Sequence, residues 1–140
     1  MSGPVVVDTN VVVAGLLTAR ADSPVCRVLD GMLAAAFPFA LSEALLAEYR
    51  EVLVRPCIHK AHGLTAAQIE TVLVELARHA IVLAPVAAAA RAPDAGDQHL
   101  WDLLEAHRAL RLVTGDKRLL ASKAMVGRAL TAADFLRALG

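Results

Sequence analysis

Two short apolar runs of this chain end in aspartate, each at a point where a strand should hand over to a helix. Val5-Val6-Val7-Asp8 is a β-branched run, and Leu112-Val113-Thr114-Gly115-Asp116 follows the same plan. Between and around them, other apolar runs alternate with helical stretches. The pattern predicts strands over 5–7, 37–41, 81–83 and 111–114, and a weak fifth over 128–130. Continuously apolar strands that alternate with helices must bury both faces of their sheet, which is the pattern of a parallel α/β sandwich. In such sheets ligands gather beyond the carboxyl ends of the strands, so the residues after each strand are the first place to look for chemistry.

Helix signals fill the gaps. A helix is expected over 11–17. Ser23-Pro24 reads as a cap followed by a proline in the first turn, opening a helix to about residue 36. Ser42 caps a helix through Leu53, which Pro56 ends. Thr65 caps another, with Ile69, Val72, Leu73 and Leu76 at helical spacing. The alanine-rich stretch 86–92 reads as a connection or short helix, Pro93 and Gly96 mark a turn, and a helix follows over 97–110. Gly115-Asp116 turns into a short helical segment, and Thr131-Ala132-Ala133-Asp134 opens the last helix as a capping box.

The 140 residues suit one domain, 1–140, with 57% hydrophobic and 20% charged composition, so disorder is not expected. Aromatics make up only 4%, which leaves Ala, Val and Leu to fill the core. The two cysteines, Cys26 and Cys57, have no metal-ligand spacing and fit a reducing compartment. The opening residues MSGPVVVDTN lack the basic and apolar regions of a secretion signal, and no apolar run reaches membrane-spanning length. A cytoplasmic protein without a membrane partner is the expectation. Fourteen basic and fourteen acidic residues cancel, so bulk charge gives no sign of a polyanionic partner. Arg108, Arg111, Lys117, Arg118, Lys123 and Arg128 do lie in one C-terminal stretch, which can equally be a solvated charged face.

The candidate site is a set of carboxylates. Taken alone, Asp8 and Asp116 are explained as helix caps or turn residues. Together they place two acids at strand ends. On the helix that follows Ser42, the apolar face holds Leu45, Leu46, Tyr49, Val52 and Leu53, and Glu48 sits at its border. Glu43 and Glu51 point further toward solvent. Asp97 shares a face with Leu100, Trp101 and Leu104, and a carboxylate facing the core needs a partner. Asp94, one turn earlier, reads as a cap, Asp102 points away, and His99 is expected on the exposed side of the helix. Four acids converging on one sheet edge repel each other unless they are protonated or neutralised. An oxygen-only set selects a hard divalent cation, Mg²⁺ or Mn²⁺, over zinc. The five histidines form no zinc pattern.

Asp8-Thr9-Asn10, the segment from Leu41-Ser42-Glu43 to Ala47-Glu48, the Asp94…Asp97 helix start, Thr114-Gly115-Asp116-Lys117-Arg118-Leu119-Leu120 and Leu130-Thr131-Ala132-Ala133-Asp134-Phe135-Leu136 together resemble the PIN-domain family, in matching order over nearly the whole chain. The chain looks closest to the toxin branch of toxin–antitoxin systems. The resemblance implies a three-layer, Rossmann-like sandwich around a five-stranded parallel sheet. It also implies a Mg²⁺- or Mn²⁺-dependent endoribonuclease leaving 5′-phosphate and 3′-hydroxyl ends. Carried over by position, Asp8, Glu48, Asp97 and Asp116 are the metal-binding and catalytic acids, with Asn10 and Thr114 supporting them. Ala95 and Gly96 stand where many relatives carry further acids, so Asp94 is a peripheral candidate. Lys117 and Arg118 are candidates for holding the RNA backbone. A protein antitoxin and a homodimer are the partners implied. The alternatives are a catalytically weak PIN-like nucleic-acid-binding module and, further off, a haloacid-dehalogenase-type phosphatase. The latter wants a second aspartate where Asn10 stands.

Overall fold

A computed structural model describes residues 3–125 and 127–140, leaving aside the side chain of Ala124. Met1 and Ser2, part of the stretch read for a secretion signal, lie outside the described residues. The first strand, β1 (Val5–Val7), has all three side chains buried. It pairs in parallel with β4 (Arg111–Val113) in the register Val5–Arg111, Val6–Leu112 and Val7–Val113. β4 pairs in turn with β5 (Ala129–Leu130), also in parallel. β2 (Ala40–Leu41) and β3 (Ile81–Val82) form a second parallel ladder.

The expected continuous five-stranded sheet is therefore two ladders, of three and two strands. They meet at one isolated parallel bridge between Val5 and Phe39, beside a hydrogen bond from Val5 N to Pro38 O of 3.2 Å. The physical reason lies in Pro38. A strand over 37–41 would run through a residue with no N–H to give to a ladder, so regular pairing starts only at Ala40. β3 is shorter than expected too, and its Ile81 and Val82 are exposed at the far edge.

Eight helices occur among the described residues. α1 (Thr9–Leu17) starts two residues earlier than the apolar pattern indicates, because Asp8 caps it through Thr9 N. It packs closely on α2 (Pro24–Leu33), where a Cβ on Gly15 would lie 2.9 Å from Val25 O. α2 stops three residues short of expectation. Ala35 takes a left-handed conformation (φ 54°), with Ala35 N bonded to Met32 O and Ala36 N to Gly31 O. This is the double hydrogen bond that satisfies the last carbonyls of a helix, and it normally uses glycine.

α3 (Glu43–Leu53) is capped by Ser42, as its sequence indicates. It ends at Leu53 as expected, with Arg55, ahead of Pro56, in an extended conformation. Pro56 also opens a separate helix, α4 (Pro56–His62), by standing in the first turn, where no N–H is needed. α5 (Ala66–His79) carries the Thr65–Gln68 capping box. α6 (Gln98–Ala106) follows a 3₁₀ turn at Ala95–Asp97 and ends four residues early. Its end is taken up by Arg128, whose guanidinium donates to the carbonyls of Leu104, His107 and Leu110 at 2.9–3.1 Å. Arg128 thus leaves the basic cluster and becomes a structural cap. α7 (Lys117–Ala121) and α8 (Ala132–Leu139) complete the chain, the latter capped by Thr131. No helix among the described residues is long and apolar enough to cross a membrane.

The left-handed Ala35 makes a local prediction. Replacing Ala35 with glycine relieves the Cβ strain while keeping both cap hydrogen bonds, and should stabilise the protein by about 1 kcal/mol. Urea denaturation should show a higher midpoint with an unchanged slope. A lower midpoint would mean that the αL geometry is not what limits this helix end.

Candidate functional site

The edge of the three-stranded ladder is built around Asp8. The residue extends β1 by donating its N–H to Val113 O (2.9 Å), then turns the chain into α1. Its side chain is almost wholly buried. Oδ1 accepts from Thr9 N at 2.8 Å, and Oδ2 accepts from Thr114 Oγ1 at 2.8 Å and Asn10 Nδ2 at 3.3 Å. Burial pushes the Asp8 carboxyl up to about 6. The Thr114 and Thr9 hydrogen bonds oppose this, while the fields of Asp97 and Glu48 add to it.

Thr114 follows β4 and is fully buried. Its hydroxyl oxygen, besides donating to Asp8, accepts from Asp116 N at 3.1 Å. Asn10 Oδ1 accepts from Gly115 N at 3.1 Å. The two strand ends that the sequence marks with aspartate are thus bound to each other through Thr114 and Asn10. Asp116 caps α7 by accepting from Arg118 N at 2.8 Å. Burial acts to raise its carboxyl, but the hydrogen bonds from Arg118 and the guanidinium charge outweigh it and hold the group below the usual range.

Asp97 sits at the junction of the 3₁₀ turn and α6, where its side chain makes no capping bond. Its carboxyl is raised by partial burial first, then by the fields of Asp94, Glu48 and Asp116, with His99 opposing. Glu48 reaches over from α3. Its Oε1 accepts from Thr9 Oγ1, and its Oε2 lies 3.3 Å from His99 Nε2. Tyr49, the next residue, is buried and donates its hydroxyl to Val7 O, which locks α3 against the end of β1.

These four acids line a single cleft of about 420 Å³. Val13, Ala14 and Leu17 of α1, Val52 of α3 and Arg55 also line it. Asp8, Asn10, Glu48, Asp97 and Asp116 all face it, and Thr114 stands directly behind Asp8. Asp94 does not line it; Asp94 Oδ1 caps the 3₁₀ turn through Gly96 N at 2.9 Å. Arg118 sits beside the cleft with its guanidinium 3.5 Å from Asp116 and 4.0 Å from Asp94, so its charge is already shared with two acids. Lys117 is exposed on the first turn of α7.

Sequence reasoning places His99 on the outer side of α6, but the structure turns it inward. The reference face of Leu100, Trp101 and Leu104 leaves out Leu103, which is fully buried and lies one turn after His99 on the same side. Including Leu103 would widen the apolar face and bring His99 to its edge. Thr9 was visible only as the middle of a motif, and Arg55 carried no signal because it falls at the break between two helices.

The donor set suits a hard divalent cation. It is made of carboxylate oxygens; burial first, and then the field of the neighbouring carboxylates, raises Asp8 and Asp97, and a cation would offset that repulsion. Among the described residues, no three of His, Cys, Asp and Glu are drawn close enough together to chelate an ion as they stand. The acids share a cleft without forming a closed cage.

A sequence model of the PIN domain matches residues 4–118. The chain belongs to the PIN-domain family. The matched span runs from the start of β1 into α7 and includes all four cleft acids. PIN domains are generally nucleases and typically use divalent metal ions. No curated protein and no solved structure matches the chain.

The raised Asp8 carboxyl has a consequence for stability. An acid whose folded pKa lies near 6, against about 3.9 in an unfolded chain, costs stability as pH rises through that window. Below about pH 4 the group is protonated in both states and the cost disappears. At about 1.4 kcal/mol per pH unit, the full cost above pH 7 is roughly 3 kcal/mol. With EDTA present, Asp8→Asn should therefore be more stable than the parent at pH 8, and the gap should close toward pH 4. Denaturant titrations across that range read the difference. An Asn variant that is weaker at every pH would show that the carboxylate's hydrogen bonds outweigh its burial.

Proposed function

We propose that the chain is a Mg²⁺- or Mn²⁺-dependent endoribonuclease. The observation that carries this reading is the gathering of Asp8, Glu48, Asp97 and Asp116 around one cleft at the carboxyl ends of β1 and β4. The residues come from four separate places in the chain. Burial raises two of them, Asp8 and Asp97, and the fields of the neighbouring acids add to it, a combination that a bound cation would relieve.

In this reading Asp8, Asp97 and Asp116 hold the cation, and Glu48 completes the site. A bound Mg²⁺ or Mn²⁺ supplies activation of a water molecule and charge stabilisation on the scissile phosphate. The protein's own part is to present the acids in a fixed relation. Thr114 and Asn10 orient Asp8 by hydrogen bonds and tie it to the turn that carries Asp116. Lys117 and Arg118, which follow Asp116 in α7, would meet the RNA backbone, as would Arg55, which lines the cleft. Arg118 must loosen its hold on Asp116 and Asp94 to do so. Water adds across the P–O3′ bond, leaving a 5′-phosphate on one product and a 3′-hydroxyl on the other.

We further read the chain as the toxin component of a toxin–antitoxin pair. The resemblance of its motif set to that branch supports this, and a protein antitoxin would then cover the cleft. A homodimer is compatible with the same reading.

The test is cleavage of a labelled RNA panel with Mg²⁺ or Mn²⁺. Endonucleolytic products should appear, vanish with EDTA and carry 5′-phosphates. Asp8→Asn and Asp116→Asn should each slow cleavage by more than about 100-fold, since losing even a hydrogen-bond partner of a metal ligand commonly costs 10–100-fold. Unchanged cleavage in both variants would sink the assignment. Co-expression with the product of an adjacent small gene tests the toxin role: relief of growth arrest supports it, and no arrest by the chain alone counts against it.

A further inference from the structure

Three helices meet on the Glu48 carboxylate. Glu48 stands in α3, Thr9 in the first turn of α1 and His99 in the first turn of α6. Thr9 Oγ1 donates to Oε1, and His99 Nε2 lies 3.3 Å from Oε2. Both oxygens of one long, flexible side chain are therefore engaged from outside its own helix. Glutamate has three rotatable torsions, and a carboxylate that must be ready at a fixed place needs them frozen beforehand.

The surroundings of His99 sharpen the point. Its side chain is 20% exposed, and its Nδ1 is buried with no hydrogen-bond partner among the described residues. The contact with Glu48 is the ring's one side-chain hydrogen bond among those residues. An apolar side chain of similar size would fill the same space without stranding a ring nitrogen, so packing alone gives no reason for an imidazole here. The Glu48 contact does.

We propose that His99 is a positioning residue that, with Thr9, fixes the Glu48 carboxylate for the cation site. The inference rests on the cation-dependent reading above. His99 does not touch the reacting phosphate; its N–H holds Oε2 and leaves the other lone pairs of the carboxylate turned to the cleft. Its role belongs with the hydrogen-bond partners that orient metal ligands.

The experiment is a calorimetric Mn²⁺ titration without RNA, on the parent, His99→Met and His99→Gln, each repeated in a Glu48→Gln background. His99→Met keeps the bulk and loses the donor, and should weaken Mn²⁺ binding about 10-fold. His99→Gln keeps an N–H within reach and should recover most of that loss. In the Glu48→Gln background the His99→Met change should cost nothing further, because the two residues act as one unit. Should His99→Met not fold, His99→Asn removes the reach to Glu48 and carries the same expectation. Unchanged Mn²⁺ affinity in the donor-free variant, an equal loss in the Glu48→Gln background, or a parent protein that binds no Mn²⁺ would each overturn the proposal. A parent that binds Mn²⁺ in this His99-dependent way but cuts no RNA leaves the proposal standing and removes only the nuclease reading.

Discussion

The burial of the Asp8 carboxylate is the constraint around which the rest of the site is arranged. An acid at the end of a central strand, with almost no exposure, needs hydrogen bonds on both oxygens to remain tolerable. The chain supplies them from three directions: the backbone of the helix that Asp8 itself opens, the side chain of Asn10, and Thr114 from the neighbouring strand. Two of them, Asn10 and Thr114, join the end of β1 to the residues that follow β4. One group thus serves as helix cap, strand tie and cleft acid, and none of these roles can be altered without the others. The uphill part is the burial itself, and the fields of Asp97 and Glu48 add to it by raising the same carboxyl.

That arrangement explains why the scaffold behind the cleft is so rigidly specified. Val5, Val6, Val7, Leu112 and Val113 are each 1% exposed or less, so the two strands that end in the acids have no solvent-facing side on which to slip. A one-residue shift would turn every side chain over and separate Asp8 from Thr114. Tyr49 adds a second restraint by bonding the last carbonyl of β1 from α3, which fixes how far Glu48 stands from the strand end. The weaker β2–β3 ladder carries none of the acids. Its shortness, enforced by Pro38, costs the site nothing.

Much of this was legible because it depends on local pattern. The strand ends at Asp8 and Asp116, the Ser42 and Thr65 caps and the boundary place of Glu48 follow from period and cap chemistry, which act over a few residues. What the pattern could not show depends on partners far apart in sequence. Thr9 gains its meaning only from Glu48, 39 residues on, and His99 from the same residue, 51 residues back. Arg128 looked like one more cation in a basic stretch until α6 ended against it. The early stop of α2 turns on Ala35 accepting a conformation that alanine disfavours, and no propensity argument selects that residue.

Charge is distributed with similar economy. The domain is formally neutral, yet its acids and bases are not interchangeable. Arg50 pairs with Glu70, Arg78 with Glu75 and Arg137 with Asp134, all at exposed positions where such pairs contribute little. Arg128 is withdrawn to backbone carbonyls. Arg118 leans on Asp116 and Asp94, at the lip of the cleft. In the proposed reading, the long-range field that would draw in a polyanion is weak, and recognition would rest on what happens inside a few ångströms of the cleft. There a bound cation would offset the repulsion between the acids and phosphate. The site's chemistry and its affinity for a phosphate backbone would then depend on the same ion, which makes the fixing of each carboxylate, Glu48 included, a matter of binding as much as of catalysis.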